Sequence, residues 1–409
     1  MAKLRTGVPL WLALERHPHR RRYQSLNRDM VTDVVIVGGG LTGAVLAWTF
    51  AKAGIRVVVL EAKRVGHGST AANSALLMHE PDRDLGELTE WYGPRTARRI
   101  WRLALQATRD FRRTVQALEI DCDLVRRDAV YFTTKSDAVT RLHAEHRRRR
   151  GAGFGGRWLD ARALRRTTGI AGAAGIRSRG NAQFNPYRAC LGLLRSAREQ
   201  GAVVFEHSAV RRIGRTRAGI VARTRGGTVA AQRVVIATGY ATPEFKPLAA
   251  RFEMKHTYVL ATRRIPARTR AKLGLDNLMV WDAERPYHYA RWSGGRLIMG
   301  GGDRPQLTER QRARAFNEST RDLRRHFQRL LPALADVDIE YAWEGVFANT
   351  PDGLPYIGPH RRYPGHLFAL GYGGNGMTFG FLAAQLLLES FKGKASADCH
   401  LFAFDRRPR

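Results

Sequence analysis

Apolar positions change period several times along this chain, and each change marks an element. Over Asp33–Leu60 the runs DVVIVGGG and IRVVVLE are continuously apolar, and between them LTGAVLAWTFAKAG reads as a helix stopping at Gly54. Continuous apolar strands imply a sheet covered on both faces. Thr96–Leu118 carries Ile100, Trp101, Leu103, Leu105, Phe111 and Val115 among arginines, which predicts a long amphipathic helix with a solvated basic face. An extended DAVYFTT and a second basic helix follow, closed by Arg147 to Arg150 and the linker GAGFGG. Tyr187–Gln200 predicts a helix feeding the strand AVVFEH, a return to the first sheet. After a hairpin through Arg225-Gly226-Gly227, QRVVIATGY is another apolar strand. From Phe252 to Gly302 strict alternation takes over, so MKHTYVLATRRI, NLMVWD, YHYARW and RLIMGG predict antiparallel strands.

Composition changes this picture in two respects. At 409 residues the chain exceeds one comfortable core, so two domains interleaved in sequence are expected. Lys and Arg outnumber Asp and Glu by 69 to 36, a net charge of +33. Such a field attracts polyanions, yet the arginines are scattered, apart from blocks such as Arg20 to Arg22, and no basic stripe interleaves with aromatics. A nucleic-acid partner is therefore compatible with the charge but not favoured. Cys122, Cys190 and Cys399 show no paired spacing, which excludes a zinc knuckle or disulfide framework and fits a cytoplasmic protein. No metal ligand set is expected. VPLWLAL is too short for a signal peptide core, and no apolar run approaches the ~20 residues of a membrane span.

The first turn carries the chemistry. GxGxxG falls on Gly38, Gly40 and Gly43, directly after a strand and opening a helix, and Glu61 closes the next strand. That context specifies dinucleotide binding: Gly38 for the turn, Gly40 for approach of the pyrophosphate, Gly43 for helix packing, and Glu61 for the ribose hydroxyls. Leu41 and Thr42 continue the open helix start, where unpaired N–H groups favour a diphosphate. The small-residue segment GHGSTAANSALL then offers Gly68, Ser69 and Thr70 beside a bulky flat ligand.

With GHGST, GAVVFEHSAV before VVIATG, RWSGGRLIMGGG, and TPDGLPYIG followed by GYGGNG, the chain resembles the FAD-dependent amine and amino-acid oxidoreductases, which include D-amino-acid, glycine and sarcosine oxidising enzymes. The resemblance spans most of the chain. It implies an α/β fold (α+β overall), a Rossmann-like FAD-binding domain of residues 30–90, 155–245 and 340–409 with an inserted antiparallel-sheet substrate domain of 120–154 and 246–339. It places the main chain around Val210 at the adenine and Thr238-Gly239 near the diphosphate. Gly374, Asn375, Gly376, Met377 and Thr378 fall at the flavin, where an open helix start favours the charge of the reduced ring by about 0.3–1 kcal/mol.

The implied reaction oxidises the C–N bond of a small amine or amino acid by hydride transfer to the flavin, and such cofactor chemistry needs no triad or carboxylate dyad. Tyr258, Tyr289 and Arg291 on the antiparallel sheet are the expected catalytic and pocket residues. Where glycine-oxidising relatives place a carboxylate-binding arginine this chain has Phe347, so Arg291 would replace it or the substrate lacks that carboxylate. Glu80 and Asp82 could attract an ammonium. Ile298 stands where sarcosine-oxidising relatives use a lysine, with Lys255 as a substitute, and the electron acceptor stays open between oxygen and a quinone. Two other readings are open: oxidation of a hydroxy-acid or polyol-phosphate C–O bond, and a tRNA-modifying flavoprotein.

Covalent flavin attachment would need a cysteine near TPDGLPYIG or a histidine after Ser69-Thr70, and the chain has Ala71-Ala72 there. Noncovalent FAD is expected. Acid precipitation should leave the yellow colour in the supernatant; colour in the pellet would refute this.

Overall fold

In the computed structural model, which describes residues 5–15, 23–217, 219–271, 275, 277–394 and 396–408, the chain forms two sheets joined along a shared cavity. The arginines at 20–22 lie outside the described residues. The smaller sheet orders Tyr356–His360, Tyr363–Leu370, Thr228–Gly239, Met30–Val37, Val57–Leu60 and Val203–Phe205. Its four inner pairings are parallel. The hairpin strands Arg212–Thr216 and Gly219–Arg223 hang from Thr228–Gly239. Helices Leu41–Lys52, Pro186–Glu199 and Gly376–Phe391 pack their apolar faces on this sheet in the principal core. The first strand, helix and second strand follow the hydrophobic pattern closely, and the helix ends just before Gly54, which takes the left-handed φ of +78° that stops it.

The ten-stranded larger sheet orders Arg5–Gly7, Ile339–Asn349, Glu253–Thr262, Arg296–Pro305, His288–Ser293, Leu278–Asp282, Val125–Thr133, Ala174–Gln183 and Leu76–Leu77, with Arg157–Asp160 beside Ala174–Gln183. All neighbours are antiparallel except Leu278–Asp282, which runs parallel to Val125–Thr133. Helix Glu309–Leu330 covers one face through Leu323, Phe327 and Leu330.

Sheet membership divides the chain differently from the expected segments. Leu76–Leu77, the strands within 157–183, and Ile339–Asn349 belong to the larger sheet, although 30–90, 155–245 and 340–409 were assigned to the nucleotide half. Their partners explain why. Ile339–Asn349 pairs with Glu253–Thr262 along almost its whole length, and Ala174–Gln183 does so with Val125–Thr133. Pairing across such sequence separations leaves no local pattern to read. The long helix is also longer than predicted, running Leu85–Ala117 from a capping box of Asp84 and Glu87. Gly93, at φ +77°, and Pro94 kink it, and the same pair reads locally as a stop.

VPLWLAL forms a helical turn, Leu10–Ala13, whose Leu10, Trp11 and Leu12 are buried in the principal core. The Trp11 indole donates to the Asn73 carbonyl at 2.7 Å. Among the described residues no helix is long and apolar enough to cross a membrane.

TPDGLPYIG is a clamped turn. The Asp352 carboxylate accepts from the Thr350 hydroxyl (3.0 Å), the Leu354 amide (3.1 Å) and the Tyr92 hydroxyl of the long helix. Arg406 grips it with Nε (2.6 Å) and Nη2 (2.8 Å), and also donates to the Leu354 and Pro355 carbonyls. Burial alone would raise the Asp352 pKa, but Arg406 and these donors hold it below the ordinary carboxylate range. The clamp fixes the strand Tyr356–His360 and, through its partner strand, the glycine-rich loop beyond Leu370. Arg406→Met, which leaves the buried carboxylate without its cation, should lose about 3–5 kcal/mol in denaturant unfolding. Because the folded pKa of Asp352 is depressed, this contribution is full above the unfolded pKa and disappears as pH falls through the folded one. Unfolding midpoints of wild type and variant should therefore converge in acid.

Candidate active site

A cavity of about 1670 Å³ runs from the end of the parallel sheet to the inner face of the larger one. It exceeds the roughly 300–1,000 Å³ of a usual small-ligand pocket, so it has room for a dinucleotide with a substrate beyond it. At its nucleotide end the missing Cβ of Gly43 would fall 1.9 Å from the Gly38 carbonyl oxygen, and that of Gly38 2.6 Å from Ala237 O. Helix Leu41–Lys52 therefore starts directly against the strand ends. Glu61 accepts from the Gly39 and Lys63 amides, each at 2.8 Å, which turns its carboxylate toward the cavity. Burial raises its pKa, the Glu206 carboxylate adds to this, and the two amides oppose it. Val210 lines the wall beyond, and the Cβ position of Gly239 meets nothing within 4 Å.

Gly68, Ser69 and Thr70 also line the cavity, but both hydroxyls are engaged. Ser69 Oγ donates to Val346 O (2.9 Å), tying the segment to the larger sheet. Thr70 Oγ1 accepts from the Leu41 amide (2.9 Å), so it caps the nucleotide helix and keeps its own proton to give. The Thr238 hydroxyl donates to Tyr240 O and leaves only its main chain for a ligand.

At the far end, the glycine-rich loop reaches the helix Gly376–Phe391 through a short turn, Gly373–Asn375. Side chains at 373 and 374 would strike Asp82: their Cβ positions lie 2.2 Å from its Oδ2 and 2.9 Å from its Oδ1. Asp82 accepts from the Gly374 amide (2.6 Å) and from Asn375 Nδ2 (2.7 Å), and Asn375 Nδ2 also donates to Glu80 O (3.1 Å). The Gly374 N–H is thus taken by Asp82, and the lining residues Gly376 and Met377 supply the helix start that faces the cavity. Burial pushes the Asp82 pKa up, while the Gly374 amide, Arg285, Arg83 and Asn375 pull it back.

Gly38, Gly40, Leu41, Thr42, Glu61, Gly68, Ser69, Thr70, Val210, Thr238, Gly239 and Gly374 to Met377 all border the one cavity, as does Tyr289. Gly43 and Thr378 stand behind it. Thr378 is buried and donates to Met78 O (2.6 Å), so it packs the helix rather than facing a ligand.

Two expectations about the substrate wall fail. Tyr258 is fully buried on the helix side of the larger sheet. Its strand keeps unbroken register against Ile339–Asn349 there, so alternation turns Tyr258 with Leu260 to the helix side and Thr257 to the cavity. A one-residue change of face suffices, because strand side chains alternate. Arg291 shares the row of Tyr289, but the Leu10–Ala13 turn covers it, with Trp11 5.0 Å from its guanidinium. It donates to the carbonyls of Ser74 (2.6 Å), Phe184 (3.0 Å) and Trp292 (3.1 Å). Burial pulls its pKa down to about 9, which leaves it charged at neutral pH as an interior brace. Ile298 is likewise core, and neither it nor Lys255 borders the cavity.

In their place the structure puts Trp281, Arg285 and Tyr287 on the cavity, with Phe347 on the strand opposite. Tyr287 is two residues before Tyr289 and therefore on the same face, a signal available in PYHYARW. The Gly374 Cβ position lies 3.0 Å from Tyr287 Oη and 2.9 Å from Asp82 Oδ1, so hydroxyl and carboxylate converge over that loop. Arg285 is half exposed, and its guanidinium approaches Glu87 only to 4.0 Å.

The residues fit FAD at both ends: a carboxylate and a glycine-lined helix start for the nucleotide, and a second helix start beside aromatic walls for a ring system. The comparisons agree. The sequence pattern of the FAD dependent oxidoreductases matches residues 33–390. The chain is 30% identical over 380 residues to a gamma-glutamylputrescine oxidoreductase of Escherichia coli, covering 91% of this chain and 86% of that one. It is 27% identical over 376 residues to a glycine oxidase of Geobacillus kaustophilus, covering 89% and 94%. The crystal structure of glycine oxidase from Geobacillus kaustophilus superposes with a TM-score of 0.78 at 23% identity, over 92% of this chain and 99% of that one. An L-amino acid deaminase from Proteus vulgaris does so at 0.75 and 15%, over 95% and 99%. These superpositions show the shared fold, and the match over 33–390 carries the assignment: the chain belongs to the family of FAD-dependent oxidoreductases.

Proposed function

We propose that the protein oxidises a C–N bond of a small amine or amino acid, with FAD held noncovalently in the cavity. The observation that carries this reading is the unbroken path from Glu61 to the wall of Trp281, Tyr287 and Tyr289. The relatives named for glycine and for gamma-glutamylputrescine support a nitrogen substrate. When bound, the flavin would supply a two-electron acceptor for the hydride of the carbon that bears nitrogen.

The chain's own residues position and shield. Glu61 and the start of helix Leu41–Lys52 beyond the Leu41 amide would hold the nucleotide, and the helix start at Gly376 and Met377 would lie beside the ring. Trp281, Tyr289 and Phe347 make an apolar slot that orients the substrate and keeps water out. Asp82 and the Tyr287 hydroxyl supply polar contacts for its nitrogen. Arg285, on the loop 283–287, takes the part first expected of Arg291: a guanidinium reaching the cavity from the sheet that faces it, suited to a carboxylate on the substrate.

Anaerobic mixing of the yellow protein with amines, amino acids and hydroxy acids should bleach the flavin with nitrogen substrates and not with hydroxy acids; the reverse outcome would move the reaction to a C–O bond. For a substrate bearing a carboxylate, Arg285→Leu should raise KM about 10- to 100-fold, from the loss of a charged hydrogen bond of about 1.5–3 kcal/mol. Arg291→Leu should leave KM within twofold. Equal KM values for Arg285→Leu and wild type would remove Arg285 from substrate binding.

A further inference from the structure

Behind the substrate wall lies a group the proposed reaction does not use. Asp282 ends the strand Leu278–Asp282, His288 begins the strand His288–Ser293, and His326 projects from helix Glu309–Leu330 between the helix and the sheet. Trp281, Tyr287 and Tyr289 face the cavity, so their neighbours Asp282 and His288 point to the reverse side.

The carboxylate is fixed in place. Asp282 Oδ1 accepts from the His288 amide (2.9 Å) and the Glu284 amide (3.2 Å), which leaves Oδ2 toward the rings. His288 Nδ1 is 3.0 Å from that oxygen and His326 Nε2 3.9 Å. The two imidazoles stack with centroids 3.8 Å apart and planes at 16°. His326 Nε2 is buried and has no hydrogen-bond partner, an arrangement that leaves a polar atom unsatisfied whichever tautomer the ring adopts. The side chains are 2%, 17% and 22% exposed for Asp282, His288 and His326, so the group is shielded on the sheet side and open toward His326. Donor atoms of all three lie within 4.8 Å of one another, the one such trio among the described residues.

We propose that Asp282, His288 and His326 form a site for a divalent transition-metal ion of the zinc or cobalt type. Two imidazole nitrogens, one carboxylate oxygen and a water make a usual four-coordinate set for such ions. With bonds of about 2.0 Å, tetrahedral ligands stand about 3.3 Å apart. The Asp282–His288 spacing is already near this, whereas the His326 ring, stacked nearly parallel on His288, has to rotate out of that stack to aim Nε2 at the ion and close both its 3.9 Å to Asp282 and its spacing to His288. Backbone amides that orient the carboxylate supply the outer support a metal ligand needs. Binding at His288 Nδ1 replaces its hydrogen bond to Asp282, and the neutral ring carries its single proton at Nε2 instead.

The ion would close the base of the loop 283–287, the segment that carries Arg285 and Tyr287 into the cavity, and fasten both flanking strands to helix Glu309–Leu330. Its role is to hold the wall, not to touch the substrate.

The test uses untagged, FAD-loaded protein stripped with chelator and titrated with Co²⁺ alone. One equivalent should bind with the visible bands of a low-coordinate nitrogen–oxygen site, and Zn²⁺ should displace it and raise the thermal midpoint. His326→Ala and His288→Ala should each abolish the bands while the flavin spectrum stays native, and His143→Ala, at an exposed histidine elsewhere, should keep them. If His326→Ala fails to retain flavin, His326→Gln serves in its place. Absence of bands in the wild type, bands that persist in both ligand variants, or loss in His143→Ala would each overturn the site; the trio would then be a stacked imidazole pair held by a carboxylate.

Discussion

The nucleotide half depends on a space 1.9 Å deep. Any side chain at Gly43 would drive its Cβ into the Gly38 carbonyl, and the helix Leu41–Lys52 could not begin where the strand Met30–Val37 stops. With that contact in place, the first turn of the helix lies against the parallel sheet, Thr70 can reach the Leu41 amide, and the 66–70 segment is drawn along the cavity. Ser69 then hands the chain to the larger sheet through Val346. One close approach thus sets the distance between the two sheets, and so the length of ligand they can enclose.

The second glycine-rich loop answers a different requirement. Gly373 and Gly374 lack side chains because Asp82 occupies their space, and Asp82 shapes the loop by taking its N–H and the Asn375 amide. From the sequence the loop reads as a row of open donors aimed at a flavin. In the structure Asp82 takes the Gly374 N–H, and the glycines of the loop make room for this carboxylate, which also meets Tyr287 over the substrate end. The helix start and the substrate wall are therefore joined through one acid.

The readable features of this chain share a property: their determinants are close in sequence. Strand, turn, helix, strand and Glu61 fall within thirty residues, and the alternation from Phe252 onward fixes strands whatever their partners. What escaped depends on contacts between distant segments. Ile339–Asn349 changes sheets because of a partner some eighty residues earlier, Arg291 leaves the pocket because a turn at Leu10–Ala13 covers it, and Tyr258 faces the helix side because Glu309–Leu330 packs on that face of its strand. Arg285 and Tyr287 lie on a loop whose direction is set by the Asp282 clamp, for which local sequence holds no signal beyond the Tyr287–Tyr289 spacing.

The arginine excess takes on a second meaning once the interior is seen. Scatter along the chain suggested solvated faces, yet Arg149, Arg291, Arg296 and Arg312 are buried, as is the Arg406 side chain, and each is engaged by carbonyls, carboxylates or aromatic faces. Arg149 pairs with Glu145 and lies over Trp101 and Tyr131. A planar, weakly hydrated guanidinium with five donors can satisfy several carbonyls at once where a lysine ammonium would demand its own hydration. Arg291 does this for three separated segments, and Arg406 does it for the turn below the glycine loop. Part of the positive charge is therefore internal scaffolding for the walls of the cavity, and a field computed from net charge overstates what the surface presents to a partner.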